Sequence, residues 1–445
     1  MDDPDPLVDV PPAAPDGALE ELYSTWAILI LITMLFSILL MSYYFQSKRI
    51  HFLHESVVSI FLGIMVGLVV RFVPDESFAQ LMMFDHRYFF NLLLPPILLN
   101  SGYDLKRKNF FRNFGSILMF ALVGTFLSTV FIGIVVWLFV GTGIYGLQLS
   151  FLECIQFGAI MSSTDPVTVL AIFHQLRVDP QLFAIIFGES MLNDSVAIVL
   201  STVLKQYRGK HISLGNILHG VGTFLAVFWG SVAVGILMAL MCAIMLKHSR
   251  LYKYQAIESS LITLVAYSSY LLSNGCQLSG IVSLLFCGIS LRHYAYDNMS
   301  RRTRRTTKYM FRVLSQLSEN FIFIYLGLTV FVERTAVYLP LLILWTLLAL
   351  MAARYISVIP IARLINTVST NVGRGEAIPR NHQIMLWWSG LRGAVAFALS
   401  FEFEGPNQNA IRTTTLVTCI VSVIALGGTT HAALRRLNIR IGVGS

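Results

Sequence analysis

Charge is scarce in this chain: 445 residues carry 32 Lys+Arg and 24 Asp+Glu, 13% of the total, where a soluble domain holds about 25%. That scarcity excludes a soluble enzyme on a single anchor and a disordered scaffold. Cysteine is equally sparse. The five residues (Cys154, Cys242, Cys276, Cys287 and Cys419) lie in or beside apolar segments and follow no metal-ligand spacing. They exclude a disulfide-stapled secreted module and read as small hydrophobes. Polar–apolar alternation is missing too, which excludes a transmembrane β-barrel. What remains is 56% hydrophobic, with a mean hydropathy of +0.69, in long continuous runs. The chain reads as an all-α polytopic membrane protein. Its net charge of +8 marks cytosolic loops and not a nucleic-acid surface.

A spanning helix needs roughly 20 mostly apolar residues. That ruler predicts thirteen spans, near 23–45, 54–73, 88–103, 113–140, 150–173, 182–204, 214–246, 256–273, 278–294, 317–333, 336–365, 382–402 and 411–434. An odd number puts the termini on opposite sides. With the N-terminus luminal and the C-terminus cytosolic, the cytosolic connections hold 23 Lys+Arg and the opposite side 7, which satisfies the positive-inside rule. Residues 1–21, with seven acidic residues and five prolines, read as a disordered luminal arm. Residues 295–316 read as a basic amphipathic cytosolic loop. Its Arg301, Arg302, Arg304 and Arg305 are either a topology signal or a contact for anionic lipid headgroups, phosphoinositides among them.

Two basic residues escape the loop count, Arg354 and Arg392, and both lie inside apolar spans. Charges at membrane depth are costly and mark functional sites. The sixth span carries Glu189, Ser190, Asn193 and Asp194; Glu189 and Asn193 share a helix face, with Asp194 about 100° further round. The fifth contains Ser163-Thr164-Asp165-Pro166, where proline breaks the helix. The twelfth contains Gly390-Leu391-Arg392-Gly393, a second predicted interruption. These two spans are seven apart, which fits two inverted six-helix repeats around a central connecting span. Arg354 cannot deprotonate and needs an acidic partner, for which Glu189 is chosen. Glu319, at the start of the tenth span, is either a supporting group for the site or an interfacial carboxylate. Glu153 and Glu258 read as interfacial.

Hydroxyls, carbonyls and carboxylates make a hard-oxygen site. Asp194, Asp165 and Thr164, with Ser190 and Asn193, suit Na+, K+ or a proton, and no cofactor is called for. Desolvation favours a protonated carboxylate and a bound cation favours an ionised one, so each ligand expels the other. If only the neutralised site crosses between facings, one cation exchanges for one proton, electroneutrally.

These stretches also resemble a known family. Phe89 to Gly102 (FFNLLLPPILLNSG), Ser163 to Val167 (STDPV), Gly188 to Asp194 (GESMLND), Leu278 to Gly288, Ser318 to Phe323 (SENFIF) and Gly390 to Ala394 (GLRGA) are similar to the eukaryotic sodium/proton exchangers. Arg292 to Ser300 is most similar to the fungal endosomal and vacuolar branch. The resemblance implies a homodimer working by an elevator motion, in a late endosome, vacuole or Golgi-related membrane. It implies a dimerisation domain from 22–103 and 214–333 and an ion-transporting core from 113–204 and 336–434. Asn193–Asp194 would exchange the ion, Thr164–Asp165 would be the unwound-helix pair, and Glu189–Arg354 the stabilising ion pair. Asn100 stands where some relatives carry an acid. Relatives continue into a long hydrophilic tail, whereas 435–445 would be only its start, which suggests a truncated chain. Two other classes compete: a cation channel, and an intramembrane aspartyl protease using Asp165 and Asp194. The protease would need paired aspartates in a Gly-x-Gly-Asp context that is absent here.

Overall fold

A computed structural model of the chain describes residues 17–48, 55–72, 86–105, 107–165, 176–209, 213–372 and 377–440, with isolated positions at 169, 172–173 and 442. Among them all regular structure is helical. In chain order the helices are α1 (Gly17–Lys48), α2 (Glu55–Arg71), α3 (86–103), α4 (Arg107–Arg112), α5 (Phe114–Gly141), α6 (Phe151–Ser162), α7 (Pro180–Gln206) and α8 (Leu214–His248). They continue as α9 (Gln255–Gly275), α10 (280–295), α11 (Arg301–Val332), α12 (Pro340–Val372), α13 (Arg380–Trp388), α14 (Ala394–Phe401) and α15 (Gln408–Arg436). Seven of these are long and apolar enough to cross a membrane: α1, α5, α7, α8, α11, α12 and α15. The six further crossings expected from the sequence fall on α2, α3, α9, α10, and the two interrupted stretches that begin with α6 and α13.

Local chemistry sets the helix starts. Ser150 and Glu153 form a reciprocal capping box at α6, each side chain satisfying a backbone donor of the other. Asp179 caps α7, whose first position is Pro180, where a missing N–H costs nothing. Ser300 caps α11, and Glu258 accepts from Ser300 N at 3.3 Å and Thr303 Oγ1 at 2.6 Å.

Three expectations change here. The helix α1 starts at Gly17, so the last residues of the supposed disordered arm are helical; residues 1–16 lie outside the described residues. The stretch 295–316 is not a loop. From Arg301 it is the first half of α11, because Thr303, Thr307, Phe311 and Ser315 recur every four residues and are all buried, a stripe that packs as a helix. Glu258 is wholly buried, not interfacial, since the α11 N-terminus gives it donors.

The helices pack in two groups. In one, α2 lies along α11, α10 against α3, α8 and α9, and α1 on α2 and α11. In the other, α5 lies against α6 and α12, α7 against α6, and α14 and α12 against α15. The α2–α11 contact is a backbone-to-backbone approach. A Cβ on Gly63 would strike the Ile324 carbonyl oxygen, and one on Gly327 the Ile60 carbonyl oxygen. Only glycine permits that spacing, the small-residue packing typical of helices in lipid. The outer faces of α1 and α8 carry exposed Trp26, Phe36, Tyr43, Leu218, Trp229 and Met241, a surface suited to hydrocarbon.

Candidate functional site

Two interrupted helices meet in the second group. The helix α6 ends at Ser162, and Ser163 continues with ψ 131°, so the α-helical bonding stops there. Pro166 and its neighbours 167–168 lie outside the described residues. Helix α13 ends at Trp388 and α14 begins at Ala394, with 389–393 non-helical. The two gaps are joined backbone to backbone: Asp165 N–H donates to the Leu391 carbonyl at 2.8 Å.

An interrupted helix leaves its last carbonyls without intrahelical partners and with partial negative charge. Each gap meets that problem with a buried arginine. Arg392 Nη1 donates to the carbonyls of Ser162 at 2.7 Å and Ser163 at 2.9 Å. Arg354 donates to the Leu386 carbonyl near the end of α13, from Nε at 3.2 Å and Nη2 at 3.0 Å. Arg354 also grips Glu189, with Nη1 on Oε1 and Nη2 on Oε2, the latter at 3.0 Å. Only 5% of Arg354 and 2% of Glu189 is exposed, so the pair is fully withdrawn from solvent. Gly390 packs its α-carbon against the Arg354 stem, where a Cβ would crowd it.

Asn193, on α7, ties the unwound segment down. Its Nδ2 donates to the Ser162 carbonyl at 3.1 Å and Thr164 Oγ1 at 3.2 Å, while its Oδ1 accepts from Thr125 Oγ1 at 2.9 Å. Thr164 and Ser190 share a 2.9 Å hydroxyl–hydroxyl bond. Asp194, the next residue on α7 and about 100° further round the helix, accepts from Ser163 Oγ at 2.6 Å.

A cavity of about 60 Å³ opens beside Asp194. Asp194, Asp165, Ser163 and the 393–395 helix start line it, together with Glu319 of α11 and apolar residues of α3 and α11. Its volume holds a few water-sized molecules. Gly393 is required at this edge, because a Cβ there would occupy the Asp165 side chain. Among the described residues no three His, Cys, Asp or Glu side chains converge into a metal cage; the carboxylates face a common space.

The predicted site residues therefore divide. Asp194 and Asp165 come together on the cavity. Thr164, Ser190 and Asn193, expected as ion ligands, form the hydrogen-bonded support behind it and are not among the lining residues. Glu189 and Arg354 pair. Arg392 holds the α6 terminus. Glu319, mid-way along α11, lies on the cavity. Arg304 is occupied, donating to the Met299 and Asp297 carbonyls and lying 4.9 Å over the Tyr296 ring, while Arg301, Arg302 and Arg305 are exposed. Asn100 is not on the cavity; its neighbour Ser101 is. Ser163 and Thr125 were not anticipated. Ser163 could have been found as the hydroxyl beside the break, but nothing in the sequence marks Thr125.

A model of the transmembrane sodium/hydrogen exchanger family matches residues 23–436. The chain is 50% identical over 430 residues to an uncharacterised Na+/H+ antiporter of Schizosaccharomyces pombe, covering 96% of this chain and 76% of that one. It is 45% identical over 457 residues to the endosomal/prevacuolar sodium/hydrogen exchanger of Saccharomyces cerevisiae, covering 99% and 71%. It is also 41% identical over 378 residues to human sodium/hydrogen exchanger 9, covering 83% of this chain and 58% of the relative. In fold it resembles the sodium proton antiporter MjNhaP1 of Methanocaldococcus jannaschii, with a TM-score of 0.70 at 20% identity over 93% of this chain and 99% of that one.

Proposed function

The chain belongs to the sodium/hydrogen exchanger family, and from that premise we propose that it exchanges one monovalent cation, Na+ or K+, for one proton across an endosomal or vacuolar membrane. The observation that carries this reading is the position of Asp194: a buried carboxylate on a cavity, beside two helix gaps that meet there. Such gaps give an ion polar backbone in otherwise apolar surroundings. Asp194 can hold a proton or a cation, but not both.

The stoichiometry rests on Asp194 being the one group that changes its load in the cycle. Asn193 carries no ionisable proton, Arg354 is committed to Glu189, and Asp165 and Glu319, on the same cavity, keep a constant charge throughout. One carboxylate cycling between two neutral loads moves no net charge. The group of helices around α5–α7 and α12–α15 acts as the moving core, and the group around α2, α3 and α8–α11 as the scaffold through which two copies form a dimer. The N-terminus is luminal and the C-terminus cytosolic, as the charge count favours. Exposed Arg301, Arg302 and Arg305 contact anionic headgroups on the cytosolic side.

Proteoliposomes test the reading. An imposed Na+ or K+ gradient drives counterflow of protons, and clamping the voltage at different values leaves the rate within about twofold, because a 1:1 cycle carries no charge against the membrane field. Cation flux without proton flux would identify a channel instead. A rate that rises steeply with voltage would reject 1:1 exchange.

A further inference from the structure

The cavity has two unlike walls. One belongs to the proposed moving core and carries Ser163, Asp165 and Asp194, beside Met191 and the start of α14. The other belongs to the scaffold and is apolar (Phe89, Leu94, Ile97, Leu98, Ile322 and Phe323) except for Ser101 and Glu319. A carboxylate in an apolar wall is costly to keep, and this one has little to offset that cost. Glu319 Oε1 accepts from Ser315, one turn earlier, at 2.8 Å. Among the described residues no cation pairs with it; the charged groups that act on it are Asp165 and, on α2, Glu55. Asp194 lies on the same cavity.

Its height along the fold is fixed by α2. The two helices run parallel: Glu55, in the first turn of α2, accepts from Gln316 at 3.4 Å and Asn320 at 2.6 Å, and Arg71, in the last, donates to the Phe331 carbonyl at 3.5 Å. Glu319 is thus level with the α2 N-terminus, on the side where α11 carries its basic residues.

We infer that Glu319 is a fixed, one-sided specificity residue: it strengthens cation binding at Asp194 only while the site faces the basic end of α11. The argument rests on the exchange reading. A cation between Asp194 and Glu319 is attracted by both, and an empty, ionised Asp194 is repelled by Glu319. A Coulomb effect of this kind, across a poorly screened cavity, is worth about tenfold in affinity. When the core slides away from the scaffold, Asp194 leaves Glu319 behind, and the opposite facing gains nothing from it. Because the carboxylates do not converge on a point, the effect acts through charge and not through a shared coordination shell.

The test is transport in proteoliposomes of known orientation, with the cation KM measured separately on each face. Glu319→Gln raises KM about tenfold on the face at the basic end of α11, leaves KM on the other face unchanged, and changes kcat by less than about twofold. Glu319→Asp keeps the charge and leaves KM on both faces within about twofold; if the glutamine variant fails to fold, Glu319→Ser removes the charge in its place. An equal rise on both faces, no rise on either when the charge is removed, or a Glu319→Asp variant as impaired as Glu319→Gln, overturns the inference. Absence of proton-coupled cation flux in the unaltered protein would instead reject the exchange reading beneath it.

Discussion

Asp194→Asn abolishes exchange, by at least about a hundredfold, in a protein that remains folded. The amide is nearly isosteric with the carboxylate, and its Oδ1 can still accept the Ser163 hydroxyl that Asp194 accepts at 2.6 Å. What it loses is the ability to take up and release a proton, and the negative charge that holds a cation. Asn193, already an amide, and Arg354, locked to Glu189, do not take over that role. The measurement is cation-driven proton movement in proteoliposomes, with the melting temperature of the same preparation as the control for folding. Robust exchange by the variant would remove Asp194 from the centre of the mechanism. Loss of folding together with loss of transport would make Asp194 a structural residue.

Arg354→Ala has the larger effect on stability. It strands the Glu189 carboxylate, 2% exposed, and uncovers the Leu386 carbonyl at the end of α13. Removing one partner of a buried ion pair costs about 3–5 kcal/mol, which corresponds to a fall in melting temperature of roughly 10 °C. Replacing both partners, as in Glu189→Leu with Arg354→Met, recovers much of that loss, because no buried charge is left alone and the volume stays filled. A single variant with an unchanged melting temperature, or a double variant as unstable as the single, would contradict the pairing.

Much of this was legible in the sequence because lipid is an unforgiving solvent. Arg354 and Arg392 stood out as the two basic residues that no loop could absorb, and each is found satisfying the end of an interrupted helix. Asp194, Asp165 and the glycines flanking Arg392 stood out for the same reason: charge and backbone flexibility are rare at membrane depth and have few purely structural uses. Direction around a helix was harder. Asn193 and Asp194 are adjacent, and their sequence does not say which one faces the cavity; the Thr125 hydroxyl on α5 decides it by capturing Asn193. Thr164 looked like a ligand by its chemistry, yet Ser190 and Asn193 claim its oxygen. The first half of α11 was harder, because the basic residues of 301–316 suggest a loop. Charge dominates composition there, while the buried stripe Thr303, Thr307, Phe311 and Ser315 is made of small and polar residues that hydropathy scores poorly. Glu258 was misjudged similarly: its position at a span end suggested water, and only the fold reveals that a neighbouring helix start supplies its donors.

The claim on which the rest depends is that one carboxylate serves both ions in turn. It is tested most directly by counting protons released when purified, detergent-solubilised protein binds Na+ or K+ in weakly buffered solution at a pH where the empty site is protonated. The account predicts close to one proton released per cation bound, and neither saturable binding nor proton release in Asp194→Asn. Cation binding that releases no proton, or that persists unchanged in Asp194→Asn, would contradict it.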